Sequence, residues 1–288
     1  MDGFERALEL LPRGWRQAAS RFDETAEEIR LRNGRSPTLL LPEGEHPFFQ
    51  ASVTEETLLQ ILEKATGASV HTAAPALAEG YLSYRGIRIG VCGASIVRDQ
   101  KLTGFRHVSS LAIRIPRECR GICKKELEEI TSGRFENTLI IGCPGAGKTS
   151  VLREWIRRLS EMGFRMGVAD ERNELAALDG AEPQFDLGPC SDVMIGLSRV
   201  DAAAMLIRGM NPQILAMDEL TRKADLEAVQ QIFGCGVGIL ATAHGTEISE
   251  LRKRRAYRVL LDQGVFSRCL LVERTKTGRR YALKSLPT

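Results

Sequence analysis

One run holds the clearest chemistry: Thr138-Leu139-Ile140-Ile141-Gly142-Cys143-Pro144-Gly145-Ala146-Gly147-Lys148-Thr149-Ser150. It fits the spacing G-x-x-x-x-G-K-[ST] of a phosphate-binding loop. Gly142, Gly145 and Gly147 can take the backbone angles that turn successive N–H groups inward. Cys143, Pro144 and Ala146 occupy the variable positions, and Ser150 continues into a helical run. Inward amides and the positive end of that helix hold a triphosphate. Lys148 is spaced to reach the β- and γ-phosphates and Thr149 to ligate Mg²⁺. A glycine-rich turn could match by chance. Here, however, an apolar β-branched run at 139–141 precedes the loop and a helix at 150–160 follows it. ATP and Mg²⁺ are the expected ligands.

Three further runs end in residues suited to the same chemistry. Ile214-Leu215-Ala216-Met217-Asp218-Glu219 is an apolar strand closing on two acids. One of Asp218 and Glu219 can hold the ion and its water shell, and the other can orient an attacking water, with Asp218 the metal candidate and Glu219 the candidate base. Met166-Gly167-Val168-Ala169-Asp170-Glu171-Arg172-Asn173-Glu174 brings more acids to a second strand end. Glu171 there competes with Glu219 for the water, although such a cluster also suits a helix start. Ile239-Leu240-Ala241-Thr242-Ala243-His244-Gly245 ends in a histidine whose neutral ring could touch the γ-phosphate and report its loss. A lone histidine is as readily structural. Arg208, before Asn211-Pro212, could meet phosphate or complement its own helix dipole. The basic run Arg252-Lys253-Arg254-Arg255, with Tyr257 its one nearby aromatic, reads as a solvated helix face rather than a nucleic-acid surface.

These residues need a scaffold that gathers strand ends. From 139 to about 245 strands at 139–141, 166–169, 214–217 and 237–243 alternate with helices, including 200–210 and 224–233. That order means right-handed crossovers and a parallel sheet, with ligands at its carboxyl edge. Two β-like segments around Thr277-Gly278 close the chain. Before the loop the pattern differs. An apolar helical face covers 4–11, a strand lies at 28–32, and Asn33-Gly34 signals a hairpin to 38–41. A capped helix starts at Thr54, and antiparallel strands fill 80–98 and 111–115. Hence the expected organisation is an α+β domain over 1–116, a join over 117–134 with a short helix, and an α/β nucleotide domain over 135–288.

Composition is ordinary for a globular protein: 43% hydrophobic and 27% charged over 288 residues. Lys and Arg number 40 against 37 Asp and Glu, a balance that gives no case for nucleic acid. Seven cysteines without framework spacing point to a reducing, cytoplasmic setting. The first six residues carry acids and no apolar core, unlike a signal peptide, and no apolar run is long enough to span a membrane.

Together these motifs resemble the stage III sporulation protein AA family of endospore-forming bacteria, itself similar to the ring ATPases of type II and type IV secretion. The residues that carry the resemblance are Glu28-Ile29-Arg30-Leu31-Arg32, Arg85-Gly86-Ile87-Arg88-Ile89-Gly90, the phosphate loop and Asp170-Glu171-Arg172-Asn173-Glu174. With them go Met205-Leu206-Ile207-Arg208-Gly209-Met210-Asn211-Pro212, Met217-Asp218-Glu219 and Thr242-Ala243-His244-Gly245. The resemblance implies a RecA-like ATPase domain behind the smaller α+β domain. It further implies a homohexameric cytoplasmic ring in the mother cell, energising a secretion-like channel with integral-membrane partners. Secretion ATPases carry Gly-Glu where this chain has Asp218-Glu219, which leaves Asp218, Glu219 and Glu171 to divide the work. Leu220-Thr221 and Gly209 also depart from the expected Ile-Gly and Ser.

Arg85 and Arg88 flank a glycine-rich hairpin within the resembling stretch. Ring ATPases commonly complete the site with an arginine from outside the core, a finger worth about 10³-fold or more in rate. Arg88 or Arg85 is the candidate, reaching a nucleotide bound on its own or on a neighbouring subunit. Two other classes remain open: a RecA-like motor stimulated by nucleic acid, and a non-hydrolysing scaffold assembled by ATP.

Overall fold

A computed structural model describes residues 3–22, 26–67, 80–98, 101–275 and 278–287. The chain forms two compact units: Met1–Arg117 with Ala177–Gln184, and Glu118–Ala176 with Phe185–Thr288. Residues 118–134, read from sequence as a join, belong to the second unit. Leu127 and Ile130 are buried there, the indole of Trp155 donates to the Cys123 carbonyl at 3.2 Å, and Gly121 N–H donates to Glu154 at 2.8 Å.

The first unit is built on a six-stranded antiparallel sheet among the described residues, in the order β3-β2-β1-β6-β5-β4. The strands are β1 (Glu28–Arg32), β2 (Thr38–Leu41), β3 (Gly44–Pro47), β4 (Tyr81–Tyr84), β5 (Ile87–Arg98) and β6 (Lys101–Arg114), with helices α1 (Gly3–Glu9), α2 (Arg13–Ala19) and α3 (Glu55–Ala65). Alternation sets its core: Ile29, Leu31, Leu39, Ile87, Ile89, Leu111 and Ile113 are buried with Leu58 and Ile61 of α3. Thr54 caps α3 by accepting from Thr57 N–H at 3.2 Å.

The Asn33-Gly34 signal is not a two-residue turn. Arg30 pairs with Thr38, so the connection is longer, and Gly34 N–H donates instead to the Val53 carbonyl at 2.8 Å. The tight turn is Arg85-Gly86, between paired Tyr84 and Ile87, with φ of 45° and 78°. Two positive φ values in a two-residue loop match the right-handed strand twist. A Cβ on Gly86 would lie 2.6 Å from Ala177 Cβ, so glycine is required twice over.

The second unit is built on a seven-stranded sheet among the described residues, ordered β13-β12-β7-β11-β10-β8-β9. Its strands are β7 (Thr138–Gly142), β8 (Met166–Asp170), β9 (Ser191–Ile195), β10 (Ile214–Met217), β11 (Gly238–His244), β12 (Arg268–Thr275) and β13 (Gly278–Ser285). All neighbours are parallel except β12 and β13. The helices are α4 (Lys124–Thr131), α5 (Lys148–Glu161), α6 (Arg199–Met210), α7 (Lys223–Phe233), α8 (Ile248–Lys253) and α9 (Arg255–Asp262). Every residue of β7, β8 and β10 is buried, as a sheet covered on both faces demands. Thr277, half of the turn expected near the end, lies outside the described residues. Among those residues no helix is long and apolar enough to cross a membrane.

Register decides which strand ends meet. Gly142 stands beside His244, Ala241 beside Met217, and Met217 beside Ala169. The residues that follow each strand therefore converge at one carboxyl edge, next to the loop after β7.

Candidate functional site

The loop begins where β7 ends. A Cβ on Gly142 would sit 2.5 Å from the Val272 carbonyl oxygen, so only glycine fits. Gly147, at φ 104°, is the N-cap of α5 and offers no side chain to cap its first turn. The orphan amides of that turn are left for a ligand. Lys148 is buried, and Nζ donates to the carbonyls of Gly142 at 3.0 Å and Cys143 at 3.1 Å. Its third partner is His244 Nδ1 at 3.2 Å. Burial pulls this ammonium below the usual lysine range, while Asp218 and Glu219 pull the other way. A buried cation whose hydrogen bonds all go to neutral acceptors is suited to an incoming anion.

The acids after β10 are fixed by side chains from both sides. Thr149 Oγ1 donates to Asp218 Oδ2 at 2.9 Å, and Thr242 Oγ1 donates to Oδ1 of the same carboxylate. The Thr242 hydroxyl also accepts from Glu219 N–H at 2.7 Å. Glu219 sits at φ 54°, a left-handed conformation that costs energy for a side chain of this size. Leu220 N–H donates to the Thr242 carbonyl at 2.9 Å, and the buried Tyr257 hydroxyl donates to the Leu220 carbonyl, which hold the bend in place. The bend aims Glu219 Oε1 at His244 Nε2, 2.7 Å away, and Oε2 at Arg172.

Donor logic orients the ring. An ammonium only donates, so Nδ1 accepts from Lys148 and Nε2–H donates to Glu219. Burial works against the Glu219 carboxylate, but His244 and Arg172 outweigh it and hold the group below the usual glutamate range. The result is one hydrogen-bonded chain, Lys148–His244–Glu219–Arg172, beside the Thr149–Asp218 pair.

Other expected residues stand apart from that chain. Glu171 pairs with Arg199 at 2.7 Å and with Arg222. Asp170 accepts from the amides of Glu174, Leu175 and Ala176 at 2.8–3.0 Å and so shapes its own loop. Burial pushes its carboxyl up, against those three hydrogen bonds. Arg208 is exposed, and its Nε donates to Ala204 of its own helix at 3.1 Å. That bond stays within α6, as the helix-end alternative requires, and does not reach the loop. In the first unit Arg88 lies over the Tyr81 ring at 3.7 Å, and Arg85 pairs with Glu9 and Asp179.

Several residues at the site carried no sequence signal strong enough to assign. Arg199 is buried and joins Asp218 O, Glu171 and Asp225. Its position just after the capping Ser198 reads as an exposed first turn. Thr242 is a polar residue in an otherwise apolar strand, a sign available in the sequence. The basic run is partly spent inside the chain: Arg254 donates to the His244 carbonyl at 3.1 Å and pairs with Glu250, and Arg252 pairs with Asp262.

The donor set fits a hard cation. A hydroxyl and a carboxylate 2.9 Å apart at a phosphate loop are the oxygen ligands that Mg²⁺ takes, with water and phosphate completing its shell.

Such a sheet defines a RecA-like α/β fold. The structure of the ATPase DotB from Legionella pneumophila aligns with a TM-score of 0.60 at 13% identity, covering 90% of this chain and 76% of that one. The pilus retraction motor PilT, solved with bound ADP, aligns at 0.59 and 16% identity, covering 91% and 80%. At these identities the likeness is one of fold. Sequence narrows it further: the family model described as "Sporulation stage III, protein AA" matches residues 9–282. Stage III sporulation protein AA of Bacillus subtilis (strain 168) is 33% identical over 279 residues, 93% of this chain and 90% of that protein. The chain belongs to the stage III sporulation protein AA family.

Proposed function

We propose that the second unit binds Mg²⁺·ATP and hydrolyses it, and that the chain is the motor of a secretion-like sporulation channel. The observation that carries this reading is the hydrogen-bonded chain from Lys148 through His244 to Glu219, beside Thr149 and Asp218. Lys148 exchanges its carbonyl partners for β- and γ-phosphate oxygens, and the loop amides share the load. Thr149 and Asp218 hold Mg²⁺, which when bound supplies positive charge to the phosphate oxygens. Glu219, kept ionised by His244 and Arg172, orients the water and accepts its proton. The water oxygen bonds to the γ-phosphorus as the bond to the bridging oxygen breaks, giving ADP and phosphate. His244, freed on one side when Lys148 turns to phosphate, couples the phosphate's presence to Glu219.

Likeness in fold to an ATPase and to a motor solved with ADP supports this reading. Family membership supports the wider one, in which the chain forms a homohexameric ring in the mother-cell cytoplasm against integral-membrane channel proteins. Arg85 and Arg88 are each engaged within the first unit, and a finger role for either requires it to leave those partners. Partial internal use of the 252–255 basic run weighs against a nucleic-acid motor.

Turnover of wild type, Glu219→Gln and Glu171→Gln tests the assignment. Glu219→Gln should keep ATP binding and lose turnover by a factor on the order of 10² or more, and Glu171→Gln should lose less. The reverse order would make Glu171 the base. No hydrolysis by wild type, in the presence of confirmed ATP binding, would leave the scaffold reading in its place.

A further inference from the structure

The sheet does not stop where the phosphate loop begins. β12 pairs with β7 as far as Leu271 beside Ile141, and its last residues run on past the loop. The Val272 carbonyl is the group that a Cβ on Gly142 would strike. β13 returns antiparallel, with Arg280 opposite Glu273 and Arg279 opposite Arg274. Alternation sends Arg279 and Arg280 to opposite faces. Arg280 is neutralised by Glu273, its Nε 2.8 Å from Oε2. Arg279 turns to the loop instead, and its Nε donates to the Ala146 carbonyl at 2.9 Å. A Cβ on Gly147 would lie 2.7 Å from that same Nε. The loop glycine is thus needed for its backbone angle and also to admit the guanidinium.

We propose that Arg279 is a nucleotide-binding residue supplied by the same chain, its terminal guanidinium nitrogens binding a phosphate oxygen of the triphosphate on the loop. The proposal rests on the loop being an ATP site. Nε uses one of the five N–H donors; the other four, on Nη1 and Nη2, make no hydrogen bond or ion pair to a described residue. The residue directly across the ladder is another cation, an arrangement that is unfavourable until an anion arrives. The Ala146 carbonyl fixes the planar fork in advance, so little freedom is lost when it binds phosphate. Chain order hides this residue, because it is reached only through the register of β7, β12 and β13.

The test is titration of the full chain with a fluorescent ATP analogue and Mg²⁺. Wild type, Arg279→Ala, Arg280→Ala and Lys148→Ala are compared, and each is melted without nucleotide. Arg279→Ala should bind at least about 10-fold more weakly than wild type, the loss of one charge-assisted hydrogen bond. Its nucleotide-free melting point should match wild type, and Arg280→Ala should bind like wild type. Unchanged affinity in Arg279→Ala overturns the proposal. So does an equal loss in Arg280→Ala, which would be a general charge effect. A fall in nucleotide-free melting point that accounts for the lost affinity would make Arg279 a latch on the loop and overturns it too. If wild type binds no better than Lys148→Ala, the ATP reading itself fails.

Discussion

The two sheets use arginine in opposite ways. In the first unit the guanidinium groups carried by the β1–β6 ladder lie at the rim of a core that alternation has already closed. Arg32 meets Glu45 through two hydrogen bonds of 2.8 Å, and Arg30 and Arg114 share Glu28. In the second unit arginines on helices reach the backbone that follows the strands. Arg199 is 4% exposed and ties the Asp218 carbonyl to Glu171 and Asp225. Arg153 of α5 holds the carbonyls of Glu174 and Leu175. Beside them Glu219 keeps a left-handed backbone that an unconstrained glutamate would leave. Arginine at the rim follows the fold, whereas arginine at the strand ends maintains a conformation the backbone does not favour. Strain with its own supporting network marks a working edge.

Substitutions that separate the two uses sharpen the contrast. Arg199→Met should be the most damaging to stability, at about 3–5 kcal/mol, because it removes a buried cation shared by the Asp218 carbonyl, Glu171 and Asp225. Urea unfolding measures this, and a loss below about 1 kcal/mol would mean the network is ornamental. Arg32→Ala should cost less than about 1 kcal/mol, since both partners face solvent. It should also change the acid limb of the stability profile. The Arg32 guanidinium holds the Glu45 carboxyl below the ordinary carboxylate range, so the pair's small contribution is complete above that range and is lost as pH falls below it. In Arg32→Ala that acid slope should flatten; an unaltered slope would show that the pair is not formed in solution.

Much of the candidate site was legible because it sits at strand ends. An apolar run followed by a polar residue announces both the strand and its exit, so Gly142, Asp218 and His244 could be found singly. Register, which no single run reveals, then makes Gly142 and His244 neighbours. What stayed hidden depends on pairing between distant segments. Arg279 reaches the loop through two strand pairings, and Arg199 looks solvent-facing until α6 is laid on the sheet. Glu171 and Glu219 are equivalent in sequence and differ in partners: two arginines for one, a histidine and an arginine for the other. The Asn33-Gly34 signal located the hairpin between β1 and β2 but not the length of its turn, because Val53 supplies a competing backbone partner. Residues 177–184 sit within the longer run of the nucleotide domain and fold with the first unit, a detour that composition does not mark.

The central claim is that a buried lysine waits at this edge for the phosphates of ATP. Equilibrium titration of Mg²⁺·ATP against wild type and Lys148→Ala, with unfolding of both followed in parallel, tests it most directly. The account predicts that Lys148→Ala loses affinity by a factor on the order of 10² or more, because a buried triphosphate loses its main countercharge. It also predicts unchanged or higher stability without nucleotide, since an ammonium that burial disfavours has been removed. Affinity within twofold of wild type would contradict it.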